Sequence, residues 1–285
     1  MSNRSKSILL LFAAGVLWSL GGVLVKTADA NPFAISSIRG GVAAIVFFIA
    51  LKGKPKITFA WPQMVGAIGY ACTLTCFVIS NKLTSAANAI LLQYTSTVWI
   101  AVLSYFILKE RLHRFDYASI LGVMIGMWLI VKDQLDGRSA IGNIIALIGG
   151  FAFAFVPVMV RKQKDGSPYE TIFLGNVLTF LIGLPFLFIA PPPLTIVPQV
   201  VFLGVFQIGI AYLLYVPASR HAKALDLSII PSIEVVLNPL LVFFVTKEIP
   251  GFSTFIGGGV LMGVIILRSI LLVRASPDKN TNMQA

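Results

Sequence analysis

The residues with the most chemical potential lie in one apolar stretch. Residues 225–248 read LDLSIIPSIEVVLNPLLVFFVTKE; Glu234 stands near the middle, Asn238 follows one helical turn on, and Pro231 and Pro239 flank the carboxylate. A helix needs about 20 apolar residues to cross a bilayer, and this stretch has the length. A carboxylate at mid-depth costs about 2.5–3.5 kcal/mol on insertion scales, which marks it for binding a proton, a cation or a polar substrate. The prolines free backbone carbonyls, which suits a helix that lines a cavity. Residues 88–110, NAILLQYTSTVWIAVLSYFILKE, end the same way: Lys109-Glu110 matches Lys247-Glu248 at an offset of 138. On a helix Gln93, Ser96, Thr97 and Ser104 fall within about 100° of one another. The offset carries them to Pro231, Glu234, Val235 and Val242, and Glu234 and Asn238 lie about 40° apart. The two stretches therefore turn related faces toward a shared axis.

Other candidates stand deep in apolar runs. Tryptophan ordinarily sits at the membrane surface, so Trp18, with Ser19 beside it, reads as cavity wall or packing. Gln207 and Tyr94 read alike, while Trp99 lies off the polar stripe and reads as packing. Tyr212 and Tyr215 read as an interfacial belt. Arg39, two turns inside its run, either snorkels to the outer surface or pairs with an inward carboxylate such as Glu234. The expected substrate-binding set is Trp18, Ser19, Gln93, Tyr94, Thr97, Gln207, Glu234 and Asn238. For Ser96, Thr97 and Ser104 the plain alternative is back-bonding and small-residue packing between helices. No catalytic constellation is present. His113 and His221 fall in loops, and no His or carboxylate joins Cys72 and Cys76, so neither a metal site nor a cofactor is expected. Gly257-Gly258-Gly259 lies in a span, where small residues mean close packing rather than a phosphate loop.

The elements that must position these residues follow from composition. The 285 residues are 57% hydrophobic and 12% charged, against about 25% charged in a soluble domain. The chain reads as an all-α integral membrane protein. Its net charge of +11 would suit nucleic acid, but the excess sits in short loops as the positive-inside rule requires. The partners expected are therefore the lipid bilayer and a small-molecule substrate, not nucleic acid. Arg4 and Lys6 before an apolar run, with Ala28-Asp29-Ala30 after it, imitate a signal peptide. The run exceeds the usual h-region of about 7–15 residues, so it reads as a first span.

Ten spans are expected: 7–26, 32–51, 63–81, 85–108, 115–131, 140–160, 170–190, 197–219, 225–248 and 252–273. With both termini in the cytoplasm, 16 of the 22 Lys and Arg lie inside and 5 outside, with Arg39 left within the second span. The chain divides into a five-helix repeat over 1–132, an external link at 133–139, a second repeat over 140–274 and a flexible cytoplasmic tail at 275–285. Five is odd, so the second repeat must enter the membrane inverted. Residues 15–26 and 150–161 agree: Trp18 aligns with Phe153, Gly22 with Pro157, Lys26 with Arg161. Inverted repeats around a central cavity are a transporter architecture.

These pieces resemble the ten-helix EamA-like branch of the drug/metabolite transporter superfamily. The likeness rests on the two halves, the early arginine of Ile38-Arg39-Gly40-Gly41, the fourth-span ending Phe106-Ile107-Leu108-Lys109-Glu110-Arg111-Leu112, and the glutamate fourteen residues before Glu248. It covers nearly the whole chain. Family members usually have proline directly after that glutamate; here Val235 follows and proline waits until 239, which shifts the helix break. The resemblance implies a basket of helices and export of amino acids or other small metabolites, the nearest described type being a bacterial aromatic amino-acid exporter. Alternating access by a multi-pass protein of the bacterial inner membrane is the expectation, with protons as a candidate coupling ion and a monomer or homodimer as the assembly. Uptake or exchange of another metabolite is the alternative. An intramembrane enzyme would need paired carboxylates or histidines at depth, and a structural subunit would not need Glu234, Asn238 and Gln93.

Overall fold

The computed structural model describes residues 2–84, 86–132, 140–246 and 252–274, and among them every regular element is helical. In chain order the helices are α1 (Asn3–Thr27), α2 (Pro32–Ala50), α3 (Trp61–Leu83), α4 (Ala89–Leu108), α5 (Arg114–Val131), α6 (Ala140–Lys162), α7 (Pro168–Gly183), α8 (Leu194–Ala218), α9 (Ile233–Thr246) and α10 (Phe252–Arg274). Seven of them, all but α5, α7 and α9, are by themselves long and apolar enough to cross a membrane. The two shortest continue into neighbouring turns. Phe186–Ile189 follows α7; Asp226–Ile229 and the 3-10 turn Ile230–Ser232 lead into α9. The external link, the tail, and the Lys247-Glu248 pair lie outside the described residues.

Local chemistry sets the helix ends. Asn31 accepts from the Phe33 N–H at 2.9 Å while Pro32 takes the first helical position of α2. The Asp116 carboxylate accepts from the His113 N–H at 2.6 Å at the start of α5. Lys109 turns left-handed, φ 57°, and stops α4. Two helices contain wide π turns, Ser104–Leu108 in α4 and Leu203–Ile210 in α8. Such turns are rare and frequent at functional sites.

Helix α3 packs along α6, α2 along α7, and α5 along α10; α1 lies against α8. The α5–α10 approach is closest at Gly126 and Gly257, where a Cβ on Gly257 would stand 2.5 Å from the Gly126 carbonyl oxygen. Gly259, expected to pack closely, faces open space, as does Gly263. Each is displaced from Gly257 around the helix axis by its 100° per residue. The outward faces carry large apolar side chains, among them Ile45, Ile49, Ile68 and Phe188, as a lipid-facing surface requires.

An ionic cluster ties the ends of three segments together. Arg268 of α10 donates to Asp226 at 2.6 Å and to Asp116 of α5, all three side chains being at most 6% exposed. Its two partners are 42 and 152 residues away, a pairing that only the folded chain brings about.

Candidate functional site

A cavity opens where α1, α3, α4, α6, α8 and α9 meet. Its walls include Trp18, Phe77, Gln93, Tyr94, Phe153, Tyr212 and Glu234. It measures about 50 Å³, room for a few water molecules and far short of the roughly 300–1,000 Å³ of a ligand pocket. The walls must part to take a metabolite.

Glu234 stands in the first turn of α9, and its carboxylate accepts from the Tyr94 hydroxyl of α4. The bond joins the two sibling stretches across the cavity. Tyr94 sits at a break in α4, where one helical piece ends at Gln93 and the next, Ser96–Leu103, begins. Much of the remaining lining is aromatic. Trp18 lies 5.0 Å from Tyr212, 5.3 Å from Tyr215 and 6.3 Å from Phe153, centroid to centroid. The spacing suits aromatic pairs in edge or tilted contact.

Two buried polar atoms of residues that line the cavity have no hydrogen-bond partner, Trp18 Nε1 and Ser96 Oγ. Buried polar groups are rarely left so, and a cavity that takes up water or a polar ligand is the setting that accommodates them.

The expected residues distribute unevenly. Trp18, Gln93, Tyr94 and Glu234 all line the cavity. Ser19 does not. Its hydroxyl donates to the Val16 carbonyl at 2.6 Å, at the break in α1, and is thereby spent on its own helix. Thr97 is fully buried against Ser228 at 3.2 Å. Gln207 sits behind the cavity wall, in the π turn of α8, and accepts from Arg39 at 2.6 Å. The Asn238 side chain lies outside the described residues. Arg39 neither snorkels nor meets Glu234: it is 1% exposed, bound to Gln207, with the Phe77 ring 5.8 Å from its guanidinium carbon. Tyr212 and Tyr215, read as belt residues, are 4% and 0% exposed inside the bundle. Burial takes them out of an interfacial belt; Tyr212 is part of the wall. The aligned pair Trp18 and Phe153 hinted at Phe153, which meets Trp18 edge to face; nothing in the sequence singled out Phe77. Cys72 and Cys76 are free thiols with sulfurs 3.8 Å apart, and no cluster of metal-binding side chains occurs among the described residues.

The EamA-like transporter model matches the chain over residues 5–132 and again over 140–270. The chain belongs to the EamA-like transporter family. It is 24% identical over 267 residues to the pseudopaline exporter of Pseudomonas aeruginosa, covering 90% of this chain and 93% of that one. It is 25% identical over 282 residues to the biotin transporter of Escherichia coli, covering 93% and 92%. A solved crystal structure superposes with a TM-score of 0.78 at 21% identity, covering 95% of this chain and 99% of its own, a likeness of fold. The EamA-like protein is a multi-pass membrane protein whose relatives are transporters, so its general activity is the movement of a small molecule across a membrane.

Proposed function

We propose that this protein is a secondary transporter of a small amphipathic metabolite, working by alternating access, and that it exports an amino acid with an aromatic side chain. The observation that carries this reading is the cavity itself, which the aromatic rings of Trp18, Phe153 and Tyr212 line together with the Tyr94–Glu234 pair. The rings offer a flat apolar surface to a side chain, and the carboxylate offers a counter-charge to an amine. Glu234 can also exchange a proton as the cavity opens to one side and then the other, which would couple transport to a proton gradient.

The reading includes ten spans in two inverted halves, with both termini in the cytoplasm of a bacterial cell. Three features support it. The family model matches in two segments that meet at the expected link. Helix α1 packs on α8 as α6 packs on α3. Lys26, at the end of α1, donates to the carbonyls of Asn81 and Thr84 at 2.9 Å each, and its sequence counterpart Arg161, at the end of α6, donates to those of Ser219 and Arg220. Each basic residue thus caps the exposed carbonyl end of the corresponding helix.

Counterflow in proteoliposomes, with a panel of labelled amino acids, amines and nucleosides, tests the reading. An aromatic amino acid should exchange, and Glu234→Gln should fold normally yet lose the pH dependence of exchange. Wild-type rates and an unchanged pH profile in the Gln variant would leave Glu234 only a structural role. Flux of none of the amino acids would sink the substrate assignment.

A further inference from the structure

Arg39 carries a permanent charge into the interior of the bundle. It stands eight residues into α2, is 1% exposed, and has one hydrogen bond, from Nη2 to Gln207 Oε1 at 2.6 Å. Its Nε and Nη1 donors have no acceptor. None of the ion pairs among the described residues includes it: Glu110 is held by Arg161, Asp116 and Asp226 by Arg268, Asp165 by Lys164. Glu234 accepts instead from Tyr94. A buried charge without a counter-ion costs several kcal/mol in a protein interior. A structural arginine would be expected to have a carboxylate or a set of carbonyls around its fork, as Arg268 and Arg161 do.

The guanidinium is also next to the cavity. Phe77 touches both: its ring lies 5.8 Å from the Arg39 guanidinium carbon, and Phe77 is one of the residues that line the cavity. Gln207 approaches α1 where Gly21 has no side chain; a Cβ there would collide with the Gln207 amide nitrogen. Phe77 is thus shared by the Arg39–Gln207 pair and by the cavity that Glu234 lines.

We propose that Arg39, with Gln207, is the anion subsite of the transport cavity: it receives the carboxylate of the transported molecule when Phe77 swings aside, while the amine faces Glu234. The idea rests on the transport reading above and narrows its substrate class to molecules with a negatively charged end. Arg39 presents a planar fork, and a carboxylate can take two parallel N–H···O bonds from it. No covalent step is involved. The carboxylate supplies the missing counter-ion, and losing it on release restores the unpaired state, so bound substrate and empty carrier differ by one buried ion pair.

The experiment reads binding without flux. Purified protein in detergent is melted with L-phenylalanine, phenylethylamine and phenylalanine amide, and with matched sets from tyrosine, tryptophan and leucine. In the wild type the amino acids should raise the melting temperature, and their decarboxylated and amidated partners should bind about tenfold or more weaker. Arg39→Met should melt at or above the ligand-free wild type, because it removes an unpaired buried charge, and should erase the preference for the carboxylate. Gln207→Glu places an internal counter-ion beside the guanidinium; it should raise the ligand-free melting temperature and abolish the carboxylate preference. Two results overturn the proposal: a marked fall in ligand-free stability in Arg39→Met, or carboxylate preference persisting in either variant. A wild type that binds amines and amides as well as amino acids overturns it too, while counterflow could still succeed and leave the transport reading standing. Conversely, carboxylate-selective binding with no flux would retain the subsite and sink the transport reading.

Discussion

Replacing Arg268 with methionine should be among the most damaging single changes outside the cavity. The side chain is 6% exposed and its guanidinium bonds two carboxylates, Asp226 through Nε at 2.6 Å and Asp116 through Nη1, which are themselves 4% and 6% exposed. Methionine fills much of the volume but takes from both buried carboxylates the counter-charge they are bonded to. Breaking a buried ion pair by removing one partner costs about 3–5 kcal/mol. At about 2–4 °C per kcal/mol for a chain of this order, the melting temperature should fall by about 6–20 °C. Most of the loss arises from the orphaned acids, so the triple change Arg268→Met, Asp116→Leu, Asp226→Leu should recover part of it, less the caps that the two carboxylates give to the His113 and Lys223 N–H groups. Replacing a buried ionic cluster by apolar groups of similar volume is often neutral or stabilising. Differential scanning fluorimetry in detergent measures all variants against the wild type. A fall below about 2 °C in the single variant, or a triple variant no better than the single, would refute the claim that the cluster is a mutually dependent unit.

Three further outcomes are expected. Gly257→Ala should force α5 and α10 apart, since its Cβ would meet the Gly126 carbonyl oxygen at 2.5 Å and the Ile130 nitrogen at 2.8 Å. Overpacking of this kind costs about 1–3 kcal/mol, whereas Gly259→Ala, with nothing within 4 Å, should be neutral or slightly stabilising by fluorimetry. Tyr94→Phe removes the hydroxyl that Glu234 accepts from; it should cost about 1–3 kcal/mol, and a double-mutant cycle with Glu234→Gln should show coupling rather than additivity. For orientation, a cysteine introduced at Asp136 should react with an impermeant maleimide added to intact cells and one at Lys54 should not; the opposite pattern would reverse the assigned topology.

The membrane class and the family were legible in the sequence because both follow from quantities that do not depend on packing. Runs of apolar residues broken by short basic loops specify helices in lipid. The Glu234 stretch announced itself because an ionisable group within an apolar span is costly wherever its helix sits. Facing is different: it depends on which neighbour a helix turns toward. A tyrosine has an apolar ring and a polar tip, so Tyr212 and Tyr215 suit a headgroup region and a cavity wall equally well by composition; only the packing of α1 on α8 sends them inward against Trp18. Ser19 sits at the expected depth, yet its hydroxyl is consumed three residues back at Val16, a local competition that hydropathy does not register. Gly257 and Gly259 are alike in the sequence and differ by a rotation about the helix axis, which decides which of them meets α5. Arg39 was visible as a charge in a span, but whether it snorkels, pairs or waits unpaired depends on Gln207, 168 residues away on another helix. The lipid-like interior accepts each of these residues at the depth the sequence dictates, and long-range packing selects the partner, because pairing energies in such a medium are set by contact at a few ångströms and not by position along the chain.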